Sequence, residues 1–113
     1  MSDPVLGGLL PLKMASATVA FDQFGEQWTL AEPDAETEDG HRSCTAHVAF
    51  EYPFDSIPVV HTGITGFDID NNDTARLSVR VETIYTTGFD LVLETGRSTR
   101  VYGVQVGWLA LGN

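Results

Sequence analysis

The feature that most limits the folds open to this chain is an alternation of apolar and polar residues with a period of two. Successive side chains of a strand point to opposite faces, so such a pattern buries one face and leaves the other wet. From Arg76 to Glu82, Leu77, Val79 and Val81 point one way, and Arg76, Ser78, Arg80 and Glu82 the other. Phe89, Leu91 and Leu93 repeat this opposite Asp90, Val92 and Glu94. The Tyr85-Thr86-Thr87-Gly88 segment between them has turn chemistry, so the two runs read as an antiparallel hairpin. The run from Val101 to Ala110 sets Tyr102, Val104, Val106 and Trp108 opposite Gly103, Gln105 and Gly107. Those glycines leave room for another sheet or chain to approach closely. Upstream, Cys44, Ala46, Val48 and Phe50 form a further apolar face, and Pro58 to Phe67 gives a less regular strand. Helical periodicity is not found. Six or seven short strands separated by turns predict an all-β antiparallel sandwich or small barrel.

A chain of 113 residues is one domain. Folding at this size removes roughly 65% of the unfolded surface from water, enough for a core without disulfides or a structural metal. Cys44 is the only cysteine, on a core face where an inert thiol is expected, and it argues against disulfide-linked stacking of copies. There are 16 acidic side chains against 6 basic ones, for a formal charge of −10, and Lys13 is the only lysine. Affinity for nucleic acids comes mainly from Lys and Arg neutralising phosphates, so duplexes and anionic membrane surfaces are poor partners. The apolar run from Val5 to Leu12 lacks a basic flank, having Asp3 there, and is interrupted by Gly7, Gly8 and Pro11. It therefore reads as an ordered or partner-docked arm rather than a signal peptide, and no run reaches the ~20 apolar residues of a membrane span.

The candidates for chemistry are few. His41, His47 and His61 show no HxH, HExxH or Cys/His spacing, so no metal or other cofactor is expected. Asp68 to Asp73 resembles the start of a calcium loop, but Asp73 stands where an EF-hand needs glycine and Val79 where it needs glutamate. Asn72-Asp73-Thr74 matches a glycosylation sequon, which has weight only in a secreted chain. No nucleophile elbow or phosphate loop occurs, and an enzyme is not expected. The arginines say more: Arg76, Arg80, Arg97 and Arg100 fall within 25 residues at strand ends or polar faces. Arg80 and Arg100 suit pairing with the surplus acids. Arg76 heads its strand after an Asx-rich turn and Arg97 lies in the Gly96-Arg97-Ser98 turn, where a β scaffold displays binding groups. Five acids between Glu32 and Asp39 read as a solvated loop.

From about Asp39 to Ala110 the chain resembles the H-type lectin domain family, the module of snail agglutinins and of the C-terminal part of discoidins. The residues that carry the resemblance are Pro58-Val59-Val60, Ile64-Thr65-Gly66-Phe67-Asp68, the Arg76 strand, Thr87-Gly88-Phe89, and Ser98-Thr99-Arg100-Val101-Tyr102 running to Trp108-Leu109-Ala110. The resemblance implies a six-stranded antiparallel β-sandwich over 39–113, with residues 1–38 as an N-terminal arm and acidic loop packing on it. It further implies a homotrimer, or a hexamer of two trimers, that binds N-acetylgalactosamine or galactose at clefts between protomers and acts in adhesion without catalysis. Arg76 would hold the sugar together with Asp39 from the neighbouring subunit's loop, with Thr37 nearby. An aromatic pair normally completes that cleft, and Gly96 and Arg97 stand at its positions here. Losing the indole removes stacking area worth roughly 1 to 2 kcal/mol, whereas Arg97 beside Arg76 suits the carboxylate or sulfate of an acidic sugar. The competing expectation is a structural or host-attachment component, adhesin-like or phage-tail-like, that keeps the trimeric sandwich without the sugar.

Overall fold

A computed structural model describes residues 12–25, 28–32, 40–70 and 75–113. All regular structure among them is strand: β1 (Lys13–Asp22), β2 (Arg42–Ala49), β3 (Val59–Asp70), β4 (Ser78–Tyr85), β5 (Gly88–Thr95) and β6 (Arg100–Gly112). They form two antiparallel three-stranded sheets, ordered β1-β6-β3 and β2-β5-β4, which is the expected sandwich. The alternation explains both. Leu91 and Leu93 of β5 and Val104, Val106, Trp108 and Ala110 of β6 are buried in the core, Gln105, Gly107 and Leu109 alternate with them on the other face of β6, and Val92, between the two leucines, is buried as well. Phe50, Phe54, Phe89 and Trp108 fill one end of the core, with ring centroids 5.0 to 5.8 Å apart in tilted or edge-on contacts. Burying one such aromatic stabilises the fold by about 1.5–3 kcal/mol. Among the described residues no helix is long and apolar enough to cross a membrane.

Three departures from simple alternation matter. The irregular stretch from Pro58 becomes β3, whose pairing with β6 shifts register between Ile64 and Gly66 and again between Asp68 and Ile69. Each shift is the mark of an extra residue in one strand, which breaks the period of two. Next to the second shift the parity of β6 changes as well: Val101 is fully buried, whereas Tyr102, expected with Val104 on the inward face, is only half-buried. The third departure concerns the N-terminal region expected as an arm over 1–38. Lys13–Asp22 is an integral edge strand, paired with β6 over ten residues. The sheet therefore begins well before residue 39, because Ala15, Val19 and Phe21 lie an even number of residues apart, share one face of the strand and pack against the core. The apolar run upstream of Leu12 lies outside the described residues, as do Asn71 to Thr74, on which the calcium and sequon readings rest.

The apolar face of β6 is consumed by the protomer's own core, which leaves its glycine face outward. There, four cross-strand rows, from Met14-Leu111-Val59 to Ala20-Gln105-Gly66, contain no Asp, Glu, Lys or Arg.

Candidate functional site

At the end of the sandwich where β5 stops and β4 starts, His41, Arg76, Leu77, Ser78, Glu94, Thr95, Gly96 and Arg97 line an open cleft of about 360 Å³. Three of the five expected site residues, Arg76, Gly96 and Arg97, thus come together. Thr37 and Asp39 lie outside the described residues.

The backbone under the cleft is tightly specified. The Arg76 N–H donates to the Thr99 hydroxyl at 3.2 Å, and the Thr95 hydroxyl donates to the Arg76 carbonyl at 2.5 Å. Both threonines are buried, so Arg76 is clamped from either side before its strand begins. The Gly96–Thr99 turn closes through a hydrogen bond from Thr99 N–H to the Gly96 carbonyl at 3.3 Å and holds Arg97 at φ 53°. That left-handed conformation is uncommon for a residue with a Cβ and needs the surroundings to impose it. Gly40 is the matching piece: at φ 68° its Cα faces the Arg97 backbone so closely that a Cβ would lie 2.6 Å from the Arg97 carbonyl oxygen. Only glycine fits there.

The electrostatics follow from who is already paired. Lys13 lies 4.0 Å from Asp55, Arg80 donates to Glu94 at 2.8 Å, and Arg100 pairs with Glu32. The expected pairing of Arg80 and Arg100 with acids is therefore present. Arg42 is buried in carbonyl contacts. The guanidinium groups of Arg76 and Arg97 make no hydrogen bond or ion pair with any described residue. Glu94, the acid of the cleft, receives His41 Nε2 at 2.7 Å as well as Arg80. The hydrogen bond from His41, followed by that from Arg80, holds its carboxyl below the usual glutamate value. A chain with a charge of −10 thus presents two uncommitted guanidinium groups around an acid that is already satisfied.

Sequence reasoning missed His41 and Glu94 as lining residues and Arg42, Thr95 and Thr99 as their support. Glu94 had a usable signal, since it closes the polar face of β5 beside the arginine turn. His41 was weighed only as a metal ligand. No group of three or more metal-ligating side chains occurs among the described residues. Cys44 is half-buried, and burial raises its thiol pKa.

Comparison with known proteins places this geometry. The chain is similar to two structures of discoidin II from Dictyostelium discoideum, the wild-type and the native recombinant protein, each with a TM-score of 0.74 and 25% identity. Each match covers 90% of this chain, but the chain spans only 37% and 38% of those proteins' length. A relative from Fuscovulum blasticum, named ATP synthase subunits region ORF 7, is 31% identical over 93 residues, 82% of this chain and 74% of its own. That name describes a gene position and carries no activity. The model of the H-type lectin domain matches residues 45–111, more than half of the chain and all of strands β3 to β5, and the chain therefore belongs to the H-type lectin domain family.

Proposed function

We propose that the protein is a non-enzymatic lectin that binds carbohydrate in the cleft of Arg76, Gly96 and Arg97, at the boundary between protomers of a homotrimer. The observation that carries this reading is the pair of uncommitted guanidinium groups in one cleft of an otherwise acidic protein. Planar five-donor groups held on a rigid frame suit directional hydrogen bonds to sugar hydroxyls and, with higher affinity, bidentate bonds to a carboxylate or sulfate. The preferred ligand is accordingly a galactose-type sugar bearing an acidic group. In this reading Asp39 of a neighbouring subunit accepts from the sugar hydroxyls, with Thr37 beside it. Among the described residues that line the cleft only Leu77 has an apolar side chain to offer the ring, so each site is weak and several sites per oligomer supply avidity. Support for the trimer is the outward face of the β1-β6-β3 sheet, free of charged side chains over four rows, as a subunit interface requires.

A glycan array carrying neutral, sulfated and carboxylated sugars tests this. Binding concentrated on acidic galactose-type glycans, and abolished in both Arg76→Ala and Arg97→Ala, is the expected result. An array on which the parent binds only neutral ligands, unaffected by Arg97→Ala, removes the acidic preference. The Gly96-Arg97 replacement of the aromatic pair favours a second reading, a trimeric structural or host-attachment component without a sugar. In that case no glycan raises the melting temperature.

A further inference from the structure

Arg42 is a charged side chain with only 6% of its surface exposed, and among the described residues it donates to backbone carbonyls of three separate segments. Nε donates to Gly40 at 2.8 Å. One terminal nitrogen donates to Leu30 at 3.1 Å and Glu32 at 2.9 Å, and the other to Arg97 at 3.1 Å and Thr99 at 2.8 Å. These five bonds match the five N–H donors that a guanidinium possesses.

We propose that Arg42 is the positioning residue of the binding cleft, acting through Thr99 and the 96–99 turn on the two arginines that meet the ligand; this rests on the cleft being the glycan site. The route is short. Arg42 fixes the carbonyl of Thr99, whose hydroxyl accepts the Arg76 N–H. The same terminal nitrogen fixes the carbonyl of Arg97, the residue held in the left-handed conformation. The Nε bond to Gly40 seats that glycine against the Arg97 backbone, where no side chain fits. The spacing of Arg76 and Arg97 is therefore set by a buried arginine that lies behind the ligand surface. Lysine cannot replace it, because three donors on one ammonium cannot serve five carbonyls drawn from three segments.

The test compares Arg42→Lys, Thr99→Val, Thr99→Ser and a core control, Val106→Ala, all in the full chain and well below their melting temperatures. Binding of inorganic sulfate and of N-acetylgalactosamine 4-sulfate is measured, and the arginine Nε–H resonances of the unliganded proteins are recorded by NMR. Arg42→Lys and Thr99→Val are expected to weaken both ligands by about tenfold or more, the scale of one lost charge-assisted hydrogen bond. They shift the Arg76 and Arg97 resonances. Thr99→Ser restores both readouts, and Val106→Ala, though less stable, binds as the parent does. Should Thr99→Val keep parental affinity and resonances, or Val106→Ala lose binding in step with its stability, the residues are ordinary core and the proposal is overturned. If the parent binds neither probe nor any arrayed glycan while the Arg76 and Arg97 resonances still move in Arg42→Lys, the glycan reading falls and the positioning stands.

Discussion

On the outer face of the β2-β5-β4 sheet the long polar side chains are committed to partners across the strands, whereas on the outer face of the β1-β6-β3 sheet four successive rows have no charge to commit. The first face carries Arg80 and His41 on Glu94, and His47 on Asp90 at 2.8 Å with the Tyr85 hydroxyl donating to the other Asp90 oxygen at 3.2 Å. The second carries Met14, Leu109, Leu111 and Val59 around the facing glycines Gly63 and Gly107, with Asp22 and Asp68 only at its end. Both faces come from the same alternation, so periodicity cannot distinguish them. What differs is the solvent each is built for. Cross-strand ion pairs keep the first face in water, whereas a face whose four described rows hold no ionisable side chain but His61 suits another protein surface.

The largest effect is expected from bringing the chemistry of one face to the other. Leu109→Glu places a carboxylate in the proposed interface, with only His61 opposite it on β3, and a buried charge without a full partner costs about 3–5 kcal/mol. Light scattering is expected to show a trimer for the parent and a monomer for the variant. A parent that is monomeric at micromolar concentration breaks the comparison, as does a variant that stays trimeric. Next come two glycines. An alanine at Gly88 would set its Cβ 2.3 Å from the Val48 carbonyl oxygen and 2.9 Å from His47 Nε2, whereas one at Gly63 meets nothing within 4 Å. In the monomeric Leu109→Glu background, denaturant unfolding should show Gly88→Ala losing about 1–3 kcal/mol. Gly63→Ala should gain about 0.5–1 kcal/mol by restricting the unfolded chain.

Smaller effects belong to the ion pairs. The Glu94 carboxyl is held below the ordinary value of 4.5, so its contribution is present above that value and lost as pH falls through the lowered folded value. Melting temperatures below pH 4.5 are expected to fall less steeply in Glu94→Gln than in the parent, and an exposed pair of this kind is worth only about 0.2–1 kcal/mol. The smallest change is spectroscopic. The charge of Asp90 and its hydrogen bond raise the pKa of the Tyr85 hydroxyl above the usual tyrosine value of 10.0. Asp90→Asn should bring that ionisation down in an ultraviolet titration.

Legibility varied with how local the cause was. The β4–β5 hairpin and the inward faces of β2, β5 and β6 were readable because each depends on residues two apart in the chain. Strand β1 was not legible, since Lys13–Asp22 has three small alanines that weaken its alternation and it directly follows an apolar run. Its membership is settled by pairing with β6, some ninety residues away. Arg76 and Arg97 could be singled out through their places at a strand head and in a turn. Arg42 could not, because an arginine opening a strand looks like any surface cation until residues 30–32 and 97–99 close over it.

By itself, then, the sequence determined the strand period, the core-facing residues, the surplus of acid and the family, all of which are carried by local pattern and composition. Tertiary structure alone decided which sheet face is left without Asp, Glu, Lys or Arg over four rows, which arginines have no partner among the described residues, and which one is buried against backbone carbonyls. Those are properties of pairing between segments far apart in the chain. Their energies depend on register and desolvation, and neither exists until the two sheets have closed on each other.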